Sequence, residues 1–86
     1  MLKEDRTAII LCGGKGSRLG ALGKRLPKSL VTVQKKEIIW YIINILRKNK
    51  FNHLILPTGY KGNLIKKYIR KNKFKLNIEC IETGRN

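Results

Sequence analysis

Thr7-Ala8-Ile9-Ile10-Leu11-Cys12-Gly13-Gly14-Lys15-Gly16-Ser17-Arg18-Leu19-Gly20, with Pro27-Lys28 a short loop later, decides how the rest of the chain is read. Thr7 to Leu11 is an unbroken β-branched and aliphatic run, of the kind that forms a central parallel strand buried on both faces. Glycines then stand at positions 13, 14 and 16. Glycine tolerates backbone angles and close approaches that other residues do not. A strand that runs into such a loop can offer a row of bare N–H groups to a phosphate. Ser17 adds a hydroxyl, and Arg18 and Lys28 add fixed positive charge. The combination reads as a seat for a nucleoside triphosphate.

Length limits what surrounds that seat. The 86 residues make at most one small domain, with no internal repeat and no linker. At 42% hydrophobic residues the composition is that of a folded chain rather than a disordered tail. Cys12 and Cys80 are too few and too far apart for a disulfide framework or a zinc site, and both lie in apolar runs, so buried thiols in a reducing compartment are expected. Met1 to Arg6 lacks the apolar core of a signal peptide, and Ile38 to Ile43 is far too short to span a bilayer. These features predict a soluble, cytoplasmic protein. The net charge of +15 attracts polyanions. Yet no aromatic-interleaved basic stripe, helix-turn-helix or zinc-finger spacing is present, so lysine serving as the solvent-facing residue is the preferred explanation over nucleic-acid binding.

Downstream, Ser29 to Val33 predicts a short extended piece and Gln34-Lys35-Lys36 a polar turn. Glu37 to about Lys48 carries Ile38, Ile39, Tyr41, Ile42, Ile45 and Leu46 at helical spacings. Trp40 and Ile43 make this helix apolar nearly all round, which predicts burial on more than one side. A strand is expected within Asn52 to Pro57, then a loop containing Gly59 and Gly62, then a helix capped by Asn63 and running to about Lys71. Phe74 to Cys80 alternates with period two, as a strand exposed on one face does, and Glu82 to Asn86 reads as a loop. His53, at a strand start, reads as structural rather than as a general base. The order β-α-β-α-β predicts a parallel sheet with right-handed crossovers, and a ligand crevice at the carboxyl ends of its strands.

Two familiar phosphate motifs fail on single positions. A P-loop ending in Gly23-Lys24 would need glycine where Arg18 stands, and a dinucleotide fingerprint starting at Gly14 would need glycine where Leu19 stands. The pattern Gly13-Gly14-x-Gly16-Ser17-Arg18-Leu19 with Pro27-Lys28 instead resembles the signature of the sugar-phosphate nucleotidyltransferases. Glu37-Ile38-Ile39-Trp40-Tyr41 and Gly59-Tyr60-Lys61-Gly62 are similar to that family's next units, and Glu82-Thr83-Gly84 resembles its glucose-1-phosphate cytidylyltransferase branch. The similarity runs through nearly all 86 residues.

The resemblance implies an α/β fold: a Rossmann-like, three-layer parallel sheet, of which residues 1–86 form the N-terminal, nucleotide-binding portion. It implies transfer of a nucleotidyl group from a nucleoside triphosphate, CTP first and GTP or dTTP as alternatives, to a sugar 1-phosphate with release of pyrophosphate. Leu11, Cys12, Gly13, Gly14, Lys15, Gly16 and Ser17 would wrap the phosphates and the base edge. Arg18 would hold the leaving pyrophosphate, Lys28 would reach the α-phosphate, and Thr83 would meet the base. Tyr60 and Lys61 are candidates for the sugar side. The family's Mg²⁺ needs carboxylate ligands. This sequence holds only Glu4, Asp5, Glu37, Glu79 and Glu82, so no metal ligand is assigned here. The family's metal-binding aspartates and sugar-binding residues come later than Asn86, which predicts a chain inactive on its own. A homo-oligomer is compatible with a full-length form.

Overall fold

Among the described residues, the parallel sheet predicted from the buried runs has three strands. The computed structural model describes residues 5–12 and 26–83. Within them β1 (Thr7–Ile9) pairs with β4 (His53–Thr58), and β4 with β5 (Asn77–Glu82), all parallel. The ladder extends past β1 through a bridge between Cys12 and Thr58. Between β1 and β4 lie a 3-10 turn (Lys28–Leu30), a hairpin of β2 (Thr32–Val33) and β3 (Lys36–Glu37), and α1 (Ile38–Lys48). Helix α2 (Gly62–Asn72) joins β4 to β5.

Strand order β1-β4-β5 moves one way across the sheet. Two right-handed crossovers in the same direction put both helices on the same face. The burial pattern agrees. Ile10, Cys12, Leu54 and Leu56 form one core with Ile39, Ile43, Ile65 and Phe74, and Ala8, Ile78 and Cys80 pack against it. The alternate residues point to the other face, as the two-residue period of a strand requires. There Ile9 is 64% exposed, Leu11 82% and Ile81 44%. The described residues therefore supply the sheet and one helix layer. β1 was expected to be central and buried on both faces; it lies at an edge of the described sheet, because no described strand or helix stands beyond it.

Local departures from the sequence reading have physical causes. Ser29 to Val33 is divided between the 3-10 turn and β2, since Leu30 and Val31 turn inward to be buried. Gln34 and Lys35 both have positive φ, as the tight turn of a two-residue hairpin demands. Tyr41 ties that hairpin to α1 by donating its hydroxyl to the Val33 carbonyl at 2.6 Å. Helix α2 starts at Gly62, with a left-handed Lys61 as its N-cap, so Asn63 lies inside the first turn and caps nothing. β5 begins at Asn77 rather than Phe74: Lys73 and Lys75 take positive φ and break the extended chain, while Phe74 folds into the core beside Tyr68. Burial of the Tyr68 phenol, with Glu37 nearby, raises its pKa well above the usual range.

Helix α1 ends in a Schellman arrangement. Phe51 N–H donates to Leu46 O and Lys50 N–H to Arg47 O, both at 3.0 Å, with Lys50 at φ 71°. Glycine fits that left-handed position without the Cβ penalty carried by lysine. Lys50→Gly is expected to raise stability by about 0.5–1 kcal/mol in urea denaturation. A loss of stability would mean that the Lys50 side chain contributes more than its backbone strain costs.

Candidate functional site at the carboxyl edge of the sheet

The carboxyl ends of all three parallel strands meet at one edge. The β4–β5 register puts Thr58 opposite Glu82, and the bridge puts Cys12 beside Thr58. Thr83 is fastened to the same point: its N–H donates to the Thr58 carbonyl at 2.9 Å and its hydroxyl donates to the same oxygen at 2.8 Å. Thr58 is buried, and its own hydroxyl donates to Ile81 O at 3.4 Å. The Thr83 hydroxyl proton is thus committed to the protein, which leaves its oxygen as an acceptor for any ligand.

The 3-10 turn closes the β1 side of this edge. Pro27 and Leu30 are buried and anchor the turn, while Lys28 between them is exposed. Ser29 lies close enough to the Cys12 thiol to influence its ionisation, which places the turn near the end of β1, although the buried Ser29 hydroxyl makes no hydrogen bond among the described residues. Cys12 is 2% exposed and donates its thiol to the Ile10 carbonyl at 3.3 Å. Burial pushes its pKa up to about 11, which Ser29 partly offsets and Cys80 reinforces. Burial also raises the Cys80 thiol, with Lys66 acting in the opposite direction. Both cysteines are free thiols.

A neutral Cys12 makes a stability prediction with a definite sign. The unfolded thiol ionises near its ordinary value of 9.0 and the folded one only near 11. The contribution is therefore complete below pH 9 and is lost as pH rises from about 9 through 11. Urea midpoints of the parent should fall more between pH 8 and 10.5 than those of Cys12→Ala. Parallel curves for the two proteins would contradict the buried, protonated thiol.

On the α2 side, Thr58, Gly62, Asn63, Lys66 and Glu82 line a cleft of about 90 Å³. The sequence reading gave no site role to Thr58, Ser29 or Lys66, and it took Asn63 only as a helix cap. Lys66 is exposed, as expected, but it also borders this cleft. Their place at the edge depends on the β4–β5 register and on where α2 begins, and no local motif carries either.

Leu11, Cys12, Lys28 and Thr83 are the sequence-predicted site residues that the structure describes. Leu11 is the odd one among them, exposed on the sheet face opposite the helices. Gly13, Gly14, Lys15, Gly16, Ser17 and Arg18 lie outside the described residues. His53 stands at the other end of the strands, with Nδ1 3.1 Å from Thr7 Oγ1 and Nε2 2.5 Å from a Glu79 oxygen. It is a cross-strand tie and not a base for this edge. Lys61 stacks over the Tyr60 ring at 5.5 Å. Among the described residues no three His, Cys, Asp or Glu side chains gather in a way that could hold a metal ion. Nor is any described helix long and apolar enough to cross a membrane.

A parallel α/β sheet with a Gly-rich sequence directly after its first strand is the pattern of nucleotide-binding folds. The chain belongs to the nucleotidyl transferase family, whose model matches residues 7–86. It is 41% identical over 77 residues to a probable glucose-1-phosphate cytidylyltransferase of Bacillus subtilis, covering 90% of this chain and 30% of that protein. It is 35% identical over 83 residues to a D-glycero-alpha-D-manno-heptose 1-phosphate guanylyltransferase of Campylobacter jejuni, covering 90% of this chain and 38% of that one. The solved CTP:phosphocholine cytidylyltransferase of Streptococcus pneumoniae superposes with a TM-score of 0.71 at 32% identity, over 91% of this chain and 32% of that structure. The chain spans about a third of the length of these relatives.

Proposed function

We propose that this chain is the nucleotide-binding portion of an enzyme that transfers a cytidylyl group from CTP to a sugar 1-phosphate and releases pyrophosphate. The observation that carries the reading is the convergence of Cys12, the Lys28 turn and Thr83 on one edge of the sheet. In the reaction an oxygen of the sugar phosphate attacks the α-phosphorus, the bond to the β-phosphate oxygen breaks, and pyrophosphate departs. No protein nucleophile is needed; positioning and charge stabilisation suffice. Lys28 is suited to meet charge at the α-phosphate, and Arg18 to hold the leaving pyrophosphate. Gly13, Gly14, Gly16 and Ser17 would supply backbone donors. Thr83 offers an acceptor to an N–H on the base, such as the 4-amino group of cytosine.

The described acids do not form a cradle for the Mg²⁺ that the resemblance implies. Asp5 precedes β1, Glu79 lies in the amino half of β5 and is engaged by His53, and Glu37 stands where β3 meets α1. Glu82 alone reaches the carboxyl edge. No step is therefore assigned to a metal on these residues, and the isolated chain is expected to have little transferase activity.

Guanylyl transfer is the second reading. It is favoured by the heptose 1-phosphate guanylyltransferase among the relatives, and guanine also presents N–H donors. Thermal shift with CTP, GTP and dTTP tests the assignment. CTP should give the largest stabilisation; GTP in first place would select the second reading, and no shift with any would refute nucleotide binding. Binding of an oligonucleotide that CTP cannot displace would point to a basic nucleic-acid module instead. Robust Mg²⁺-dependent synthesis of a nucleotide sugar by the purified 86-residue chain would refute the partial-site reading.

A further inference from the structure

We propose that the groove between α2 and β5 is a binding site for an amphiphilic anion, a carboxylate or phosphate head on an unbranched aliphatic chain. The groove measures about 290 Å³ and is lined by Lys66, Ile69 and Arg70 of α2 and by Ile78 and Cys80 of β5. That volume is close to the lower end of small-molecule sites, about 300–1,000 Å³. The site does not depend on which nucleotide the carboxyl edge takes.

The fold opens this groove because α2 covers the outer strand incompletely. On the helix side of the sheet the central strand turns in Leu54 and Leu56, both fully buried. Ile78 and Cys80 stand beside them in register on β5 and face the same way, yet both are only half-buried. The same decline runs along α2: Ile65 is fully buried, and Ile69, one turn on, is half-buried. No described strand stands beyond β5 to close the far side. The outcome is an apolar floor that water reaches.

Charge on the rim decides what such a floor can hold. Lys66 and Arg70 are four residues apart, so they share one side of α2. Lys66 is near enough to act on the Cys80 thiol across the groove. Neither cation has an ion-pair partner among the described residues. No Asp or Glu stands between Ile38 and Ile78 in the sequence. Of the two acids on β5, Glu79 turns to the opposite sheet face and meets His53, and Glu82 borders the Thr58 cleft.

Like charges at this helical spacing repel and weaken the helix. An anion held between Lys66 and Arg70 removes that repulsion, and the guanidinium fork matches the paired oxygens of a carboxylate or phosphate. The floor of Ile69, Ile78 and Cys80 gives an aliphatic chain a place out of water, which a bare ion cannot use. Lys67 and Lys71 border neither cleft and are ordinary solvated lysines.

Titration calorimetry of the whole chain with decanoate and with decyl phosphate, each below its micelle concentration, tests the proposal. Saturable one-to-one binding is expected, and the tighter of the two assigns the head. Decanol, hexanoate and inorganic phosphate should each bind at least tenfold more weakly, because each lacks the charge, part of the chain or all of it. Lys66→Ala and Arg70→Ala should each weaken binding at least fivefold, while Lys67→Ala, Lys71→Ala and Ile9→Lys stay within twofold. The ligand should also slow alkylation of Cys80 by iodoacetamide at least fivefold and raise the thermal midpoint. Absence of saturable binding overturns the proposal. So do equal losses at all four basic positions, which would mean a distributed attraction to anions. A loss with Ile9→Lys alone would move the chain to the bare sheet face, and a lowered thermal midpoint would mean that the amphiphile binds the unfolded chain; either result also overturns it.

Discussion

Lys28→Ala is expected to weaken CTP binding by about ten- to a hundredfold, the loss of one charge-assisted phosphate contact of roughly 1.5–3 kcal/mol. The size follows from how the lysine is held. Buried Pro27 and Leu30 fix the turn on either side, and Ser29 lies near the Cys12 thiol at the end of β1. The backbone under Lys28 is therefore fixed, and the ordering cost of meeting a phosphate falls on its side-chain rotamers alone. Lys67 and Lys71 lie on the solvent side of α2, so Lys67→Ala and Lys71→Ala should stay within about twofold. Arg18→Ala should match Lys28→Ala, a prediction that rests on the loop motif alone. Lys66, on the rim of the cleft beside Thr58, should fall between the two groups. Titration calorimetry at two salt concentrations is the measurement. Equal losses at Lys28, Lys67 and Lys71 would indicate a distributed attraction to polyanions and remove the specific site.

Sequence pattern and structure agree where local signal and tertiary role coincide. Leu54 and Leu56 lie in a short apolar run and form the buried side of the central strand. In α1, Ile39 of the expected apolar stripe is buried, whereas Ile45 of that stripe is exposed; the other fully buried residue is Ile43, which in the sequence widens the apolar surface beyond the stripe. Agreement fails where a residue takes a conformation against its own preference. Lys35, Lys50, Lys61, Lys73 and Lys75 all have positive φ, in places where glycine or asparagine would have announced a turn. Lysine gives no such notice, so the returning strand β3, the start of α2 and the late start of β5 were not legible, although the polar turn at Gln34-Lys35 was. The period-two pattern of Phe74 to Cys80 also runs through the break at Lys75, because Phe74 and Leu76 pack on the core side without being in the strand. At the site, the chemical types of Cys12, Lys28 and Thr83 could be read from a linear motif. The bond from Thr83 to the Thr58 carbonyl could not, because it exists only once β4 and β5 are in register.

Gly62→Ala should lower stability by about 2–3 kcal/mol through overpacking, a large share of the 5–10 kcal/mol or so expected for a domain of this size. A Cβ at Gly62 would meet Thr58 Oγ1 and approach Thr58 Cβ to 2.8 Å, closer than real Cβ contacts allow. Alanine is otherwise the better helix former by about 1 kcal/mol, so the predicted sign opposes the intrinsic propensity. The clash falls on the residue that holds Thr83, and relief requires α2 to move away from β4 or Thr58 to shift. Either movement disturbs the carboxyl edge, so CTP binding should weaken together with stability. Thr58→Gly removes both clashing atoms, and in that background Gly62→Ala should become neutral or mildly stabilising. The coupling energy from urea denaturation of the four proteins should then be about 2 kcal/mol or more. Additive effects within a few tenths of a kcal/mol would mean that α2 does not approach β4 this closely, and that the cleft at Thr58 has a different shape.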